Sequence, residues 1–175
     1  MKLKMKAKIA SIHNKIEITG EDGNALYHIR SKALSLHDVT HLTDGEGQEI
    51  AVITRRPVSL HDTHIIELAD GTEIELRSEL LHLTKDVLDI EALGWQLTGD
   101  LVQHNYQLTD DRGQLLAQTH RKWLSLHNTC EVDIVDEERM DLIVAVLVAL
   151  DKIVGDRERT MAASDHDFDR DGGQG

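Results

Sequence analysis

Apolar and polar residues alternate along most of the first 134 positions of the chain. The segments KIEI at 15–18, EIEL at 73–76 and CEVDI at 130–134 show the pattern clearly. A period of two residues is typical of strands that bury one face and leave the other in water. The runs and the turn residues between them predict twelve strands, near residues 2–9, 15–19, 25–32, 38–43, 48–55, 63–68, 73–79, 86–91, 95–98, 104–109, 114–121 and 129–134.

A histidine-containing motif recurs in the connections between these strands. It reads Ser-Ile-His-Asn at 11–14, Ser-Leu-His-Asp at 35–38 and 59–62, and Ser-Leu-His-Asn at 125–128. With two further histidines, at 82 and 104, the spacing is 21 to 24 residues, which is the length of two strands and two turns. Midway lie Asp-Gly pairs at 22–23, 44–45 and 70–71 and Asp-Arg-Gly at 111–113, which supply the positive φ of hairpin turns. The chain is therefore predicted to form consecutive antiparallel hairpins.

The strand pattern ends before a run of nine apolar residues at 142–150. Asp136 has the features of a helix N-cap and Gly155 those of a helix stop, so the run predicts a helix over residues 137–154. A helix that is apolar on every side must be surrounded by protein, and the run is too short to span a bilayer. A final buried strand is the alternative, because several residues of the run are valines.

These elements predict a mainly β fold, a closed twelve-stranded antiparallel barrel that encloses a C-terminal hydrophobic helix. The lumen of so many strands is too wide for strand side chains to fill, and a helix about 10 Å across fits it. Closure also removes exposed sheet edges. We expect one domain over residues 1–154 and an acidic, disordered tail over residues 155–175.

Composition narrows the classes of function. The chain has 175 residues, 40% of them hydrophobic, and a net charge of −13, which excludes a broad nucleic-acid footprint. Two Trp, two Tyr and one Phe leave few rings for stacking unpaired bases. The N-terminal segment lacks the apolar core of a secretory signal, and a single cysteine fits a reducing compartment. We therefore expect a cytoplasmic protein that is not an integral membrane protein and does not bind nucleic acid.

The sequence contains no recognisable catalytic or cofactor motif. Ser, His and Asp adjoin in the repeated motif, but a catalytic triad is assembled from distant positions around an exposed nucleophile. Phosphate-binding loops, zinc-protease motifs and dinucleotide fingerprints are missing. Cys130 alternates with Val132 and Ile134 along a strand, which indicates a core residue. The chain is predicted to be non-enzymatic and to need no cofactor.

The first strand carries the one concentrated basic feature of this acidic chain. Its lysines alternate with apolar residues, so they share one face of the strand. That face is a candidate contact for anionic phospholipid, and a solvated face that discourages edge pairing is the alternative. The lysines are Lys2, Lys4, Lys6 and Lys8.

Six of the eleven histidines recur at equivalent connections. Alternate connections of an up-and-down barrel lie at the same rim, so these side chains are expected to ring one mouth. Such a ring is a candidate site for a transition metal, or a group that gains charge together near pH ~6. The alternative is that His merely tolerates the left-handed backbone of turns, which lie too far apart for metal bonds of ~2.1 Å. The histidines are His13, His37, His61, His82, His104 and His127.

Several segments resemble the LURP-one-related family. They are Gly-Trp at 94–95 with Gly-Asp at 99–100, Lys-Trp-Leu-Ser at 122–125, and the apolar C-terminal helix. The resemblance covers roughly residues 1–154 and implies the tubby C-terminal-like fold, a twelve-stranded barrel threaded by a hydrophobic helix. It implies structural roles for Gly94, Trp95, Gly99, Asp100 and Trp123.

The resemblance implies a non-enzymatic barrel whose molecular activity is undefined. Tubby relatives bind phosphoinositides and the related scramblases move lipids, which favours phospholipid or membrane-surface binding. A scaffold for an unidentified protein partner and a histidine-rimmed metal-responsive or pH-responsive module are the alternatives. The chain departs from the family in carrying His where its relatives carry Gly at the Ser-x-Gly turns.

The two interpretations of the histidines predict different behaviour for His37→Gly and His61→Gly. If the histidines serve only the turns, both variants keep or slightly raise the melting temperature, because Gly enters left-handed backbone more easily. We expect this result, together with no response to zinc or nickel. Thermal melts and calorimetric metal titrations check it, and stoichiometric micromolar metal binding that both substitutions abolish would contradict it.

Overall fold

The computed structural model describes residues 1–7, 14–32, 38–58, 61–77, 87–100, 105–121 and 129–168. The helix α1 spans Met140–Phe168, and a 3₁₀ turn at Glu91–Leu93 precedes the ninth strand. Each strand lies within a few residues of its predicted position. The strands are β1 (Lys2–Ala7), β2 (Asn14–Thr19), β3 (Ala25–Lys32), β4 (Val39–Asp44), β5 (Glu49–Val58), β6 (His61–Leu68), β7 (Glu73–Arg77), β8 (Val87–Ile90), β9 (Trp95–Asp100), β10 (Asn105–Thr109), β11 (Leu115–Arg121) and β12 (Thr129–Ile134).

All twelve strands belong to one antiparallel sheet, in the order β7-β6-β5-β4-β3-β2-β1-β12-β11-β10-β9-β8. The first and last strands pair directly, with Leu3 of β1 opposite Val132 of β12. The sheet curls into a nearly closed barrel, whose two outermost strands are β7 and β8. The predicted fold class, a twelve-stranded antiparallel barrel with a C-terminal helix, is confirmed.

One face of each strand contributes to the core. Ile53 and Ile66 are opposite each other on β5 and β6, and both are buried. Their chain neighbours Val52 and Glu67 are more exposed. Alternation in the sequence therefore predicts the strands correctly, because every second residue removes its apolar surface from water.

The apolar run of the sequence lies inside the barrel. Residues 143–150 of α1 are all at most 4% exposed, and the helix packs against β5 and β6. The alternative of a final buried strand is wrong: a helix satisfies its own backbone hydrogen bonds and can be enclosed with apolar side chains on every side. Within the described residues, no helix is long and apolar enough to cross a membrane.

Both ends of α1 differ from the predicted bounds of 137–154. Asp136 caps the helical segment as predicted, since its Oδ1 accepts the Arg139 N–H at 3.1 Å, but the α-helix itself begins at Met140. At the other end the helix continues through Gly155 to Phe168. A glycine inside a helix costs about 1 kcal/mol, which good helix formers in the following turns offset. The tail predicted to be disordered is therefore helical through Phe168, and residues 169–175 lie outside the described residues.

Four hairpins turn on a glycine with positive φ. Gly23, Gly71 and Gly113 have φ of 81°, 84° and 74°, as the sequence pattern predicts. In the β4–β5 hairpin the positive φ, 90°, belongs to Gly47 and not to the predicted Gly45. Gly45 is needed for a different reason, because a Cβ there would lie 2.7 Å from a backbone carbonyl oxygen of β3.

The enclosure of α1 predicts that Val146→Asp does not fold to a soluble protein. Val146 is 0% exposed, so the substitution buries an unpaired carboxylate. That costs several kcal/mol, a large part of a typical domain stability of about 5–15 kcal/mol. Soluble yield and circular dichroism measure the outcome.

Val135→Asp is the matched control, because Val135 lies between β12 and the helix and is 55% exposed. We expect the control to remain soluble with a native spectrum. A soluble Val146→Asp protein with the same spectrum would show that the run is not enclosed.

Candidate functional site

The barrel has two rims that differ in the kind of connection they carry. The turn rim holds the tight turns at residues 20–24, 44–48, 68–72 and 110–114 and the start of α1. The opposite rim holds the ends of β1, β3, β5, β7, β9 and β11 and the beginnings of the even-numbered strands. The predicted site residues are divided between these two rims.

Arg139 fastens the start of α1 at the turn rim. Its Nε donates to Asp136 Oδ2 at 2.7 Å, and its Nη2 lies 3.3 Å from Asp110 Oδ2. The guanidinium carbon also lies 5.8 Å from the centre of the Trp95 ring, which is a cation–π distance. One side chain thus joins the helix, the β10–β11 turn and β9.

Asp110 is the most deeply placed carboxylate of this cluster, at 8% exposure. Its Oδ1 accepts backbone N–H groups of Gln114 at 2.9 Å and Arg112 at 3.0 Å. The Gln114 contact above all, and also the Arg139 guanidinium, hold the pKa of the Asp110 carboxyl below its ordinary value against the opposing effect of burial. The hydrogen bond from Arg139 is likewise the main reason why the pKa of Asp136 is lowered. The cluster is therefore a charged network at neutral pH.

Tyr27 of β3 makes a second contact with the start of α1. It is 2% exposed, and its hydroxyl donates to Asp141 Oδ1 at 2.6 Å. Burial, and then the Asp141 carboxylate, raise the pKa of Tyr27 well above its ordinary value. The hydroxyl therefore keeps its proton and remains a donor. This contact fixes the first helical turn against the sheet.

The glycines singled out by the family resemblance are required by geometry. Gly94, with φ of 64°, ends the 3₁₀ turn and is followed by the buried Trp95. Gly99 approaches β10 so closely that a Cβ would lie 2.5 Å from a backbone carbonyl oxygen. Asp100 is the last residue of β9, at the opposite rim. Trp123 lies outside the described residues.

Carboxylates flank the lysines of β1, a feature that the sequence pattern alone did not indicate. The first lysine of the strand is exposed and the second is half-buried. Opposite residues in neighbouring strands have Cβ atoms about 5 Å apart, so each carboxylate offsets part of the field of its lysine. Lys8 lies outside the described residues. From the turn rim to the opposite rim, the opposing pairs are Lys2 with Asp133, Lys4 with Glu131 and Lys6 with Glu17.

One of the six recurring histidines falls on a described residue. His61 is the first residue of β6, at the opposite rim. Across the part of the chain that the structure describes, no group of three or more His, Cys, Asp or Glu side chains is placed to hold a metal ion. The metal site stays a prediction, because the other members of the ring lie outside the described residues: His13, His37, His82, His104 and His127.

Charge is distributed unevenly between the rims of this chain of net charge −13. The exposed carboxylates at the turn rim include Glu21, Asp22, Glu46, Asp70, Glu91, Asp111, Glu137 and Glu138. Among the three residues of each strand that are nearest the opposite rim, the lysines and arginines are Lys6, Lys15, Arg30, Lys32, Arg56, Arg77 and Arg121. The described carboxylates at the same positions are Asp62, Glu75, Asp89, Asp100 and Glu131, and Asp38 directly precedes β4, so positive and negative charges are nearly balanced at this rim. Of the two rims, the opposite rim is therefore the one that repels an anion less.

A twelve-stranded antiparallel sheet curled around a buried C-terminal helix defines a class of barrel in which a helix fills the lumen. Within that class, the profile of the LURP-one-related family matches residues 1–151, and the chain belongs to this family. The family resemblance of the sequence motifs is thereby confirmed.

Two known proteins are similar to this chain. Uncharacterized protein YxjI of Bacillus subtilis (strain 168) is 31% identical over 65 residues, which are 37% of this chain and 40% of YxjI. The chain thus matches less than half of the length of that relative. The X-ray structure of a protein from Arabidopsis thaliana is 17% identical with a TM-score of 0.46, covering 86% of this chain and 91% of that one.

Sequence reasoning missed the residues that fasten the helix. Asp110 lies beside a predicted turn and Arg139 follows a predicted N-cap, but the two are 29 positions apart. Tyr27 and Asp141 are 114 positions apart. No periodicity links such positions, so only the folded barrel brings them together.

The lowered pKa of Asp110 predicts a pH-dependent loss of stability in Asp110→Asn. A carboxyl whose pKa is lower in the folded protein stabilises the fold above its unfolded pKa of about 3.9, and this contribution is lost as pH falls through the folded pKa. The amide keeps the acceptor for the turn N–H groups but removes the charge beside Arg139. We expect the variant to melt below the wild type at pH 7, with the difference shrinking toward pH 3.

Asp22→Asn is the control for this prediction. Asp22 Oδ1 also accepts a backbone N–H in a turn, that of Asn24 at 3.0 Å, but the described residues give it no arginine partner. Melting curves between pH 3 and 7 compare the two variants with the wild type. An Asp110→Asn deficit that is constant across this range, or equal to that of the control, would contradict the role given to the charge.

Proposed function

We propose that this member of the LURP-one-related family is a non-enzymatic barrel that binds the surface of anionic phospholipid membranes through its opposite rim. The observation that carries the proposal is the uneven distribution of charge: the described lysines and arginines are concentrated near the opposite rim, where they about equal the carboxylates, whereas the turn rim is strongly acidic. The proposal includes no catalytic step and no cofactor. It places the protein in the cytoplasm, because the cytoplasmic leaflet carries the anionic lipids.

The separation of the rims lets an acidic protein approach an anionic surface. Strands of six to eight residues at ~3.3 Å per residue, tilted by ~40°, separate the rims by roughly 15–20 Å. The Debye length at physiological ionic strength is only ~8 Å. With the opposite rim toward the membrane, the carboxylates of the turn rim are about two Debye lengths away and contribute little repulsion.

In this orientation, the lysines of β1 lie at different distances from the membrane. Lys2 lies at the turn-rim end of the strand and Lys6 at the opposite-rim end, so the membrane is nearest to Lys6. Because an electrostatic contact decays within a Debye length, the contribution of each lysine falls with its distance from the opposite rim.

Single Lys→Gln substitutions along β1 test the proposal. The wild type is expected to sediment with vesicles of phosphatidylcholine and phosphatidylserine but not of phosphatidylcholine alone, and to be released by salt. A cation near a membrane contributes about 1 kcal/mol, so Lys6→Gln should weaken binding about fivefold, Lys4→Gln less, and Lys2→Gln hardly at all.

The three substitutions change the same charge on the same strand, so each serves as a control for the others. Thermal melts exclude loss of folding as the cause of any difference. Equal effects at the three positions would contradict the orientation, and a wild type that ignores phosphatidylserine vesicles at low salt would contradict the proposed function itself.

A further inference from the structure

A row of basic residues crosses the outer face of β2, β3 and β4. Lys15 is opposite Arg30, and Arg30 in turn is opposite His41. Neighbouring strands are ~4.8 Å apart, so the row spans roughly 10 Å. Like charges directly opposite each other destabilise a sheet, so the Lys15–Arg30 pair has a cost in stability.

Arg30 lies at the centre of this row. Its side chain is exposed, and among the described residues it forms no ion pair. The lysines of β1 differ, because each described lysine there is opposite a carboxylate. The planar donor fork of the Arg30 guanidinium is therefore open to a ligand.

The carboxylates nearest to the row have partners of their own. Glu49 Oε2 lies 2.8 Å from Nδ1 of His41, whose side chain is 39% exposed. Glu17, two positions along β2 from Lys15, also has a partner. When the His41 ring carries both protons, Nδ1 donates to Glu49 and Nε2 is left to donate to an anion. The neighbouring carboxylates thus leave the centre of the row to an incoming anion.

We propose that Arg30, flanked by Lys15 and His41, binds the dianionic phosphate of a phosphomonoester. The guanidinium fork matches two phosphate oxygens, and basic residues about 5 Å to either side are placed to offset the second charge. A monoester fits better than a diester, because a diester phosphate carries one charge. The same group occurs in the headgroup of phosphatidic acid and in soluble phosphate esters, and the lipid source rests on the proposed function.

Three variants of the full chain separate this site from general attraction to an anionic surface. Arg30→Gln removes both the positive charge and the planar donor fork of the guanidinium, whereas Arg30→Lys keeps the charge and removes only the fork. Arg112→Gln makes the same charge change at an exposed arginine of the turn rim and is the matched control. Each is tested against phosphatidylcholine vesicles that contain phosphatidic acid or phosphatidylserine, and against inorganic phosphate followed by the amide NMR signals of Arg30 and His41.

The site predicts a lipid-dependent pattern. Arg30→Gln should weaken phosphatidic acid binding about tenfold or more, since the bond lost is charge-assisted, and phosphatidylserine binding about fivefold. Arg30→Lys should bind phosphatidylserine like the wild type but still lose phosphatidic acid affinity. Arg112→Gln should match the wild type on both lipids.

Each other outcome has a separate meaning. Equal losses on both lipids in Arg30→Gln and none in Arg30→Lys would overturn the phosphomonoester site and leave the proposed function standing. Vesicle binding absent in the wild type, with phosphate shifts at Arg30 that Arg30→Gln abolishes, would overturn membrane binding and identify a soluble phosphate ester as the ligand class. Absence of both responses would overturn both proposals.

Discussion

Residues 143–150 of α1 withdraw apolar side chains from water on every side of a helix, and only a sheet curled around that helix can contact all of them. Six of these side chains are larger than alanine, and burying each contributes about 2 kcal/mol, on the order of 10 kcal/mol together. This equals a typical net stability of a whole domain. The number of strands, the width of the barrel and the near closure of the sheet all contribute to burying these side chains of the helix.

A helix held only by apolar contacts could slide or rotate in the lumen, because such contacts have little direction. The polar contacts at the turn rim are directional, and they fix the position and rotation of the helix. Arg139 joins the helix to β9 and to the β10–β11 turn, and Tyr27 joins it to β3. These contacts all lie at the turn rim, away from the surfaces on which binding is proposed.

Sequence reasoning went furthest where a short-range period reports burial. Alternation located the strands, and nine apolar residues in a row located a helix that had to be enclosed. The prediction was wrong where the surrounding sequence overrode a local signal. Gly155 predicted the end of the helix, but the helix continues through this residue. Sequence reasoning also missed the Arg30 row, because Lys15 and His41 become neighbours of Arg30 only through strand register. Register across three strands is a property of the folded sheet.

The net charge of −13 excludes a broad nucleic-acid footprint, but it does not describe how charge is distributed over the folded surface. Asp22, Asp44, Asp70 and Asp110 each accept backbone N–H groups of the turns they occupy. Part of the negative charge is therefore needed to form tight turns, and these turns lie at one rim. Because folding holds these carboxylates at the turn rim, they add little negative charge to the opposite rim. Attraction within a Debye length depends on that local balance and not on the total.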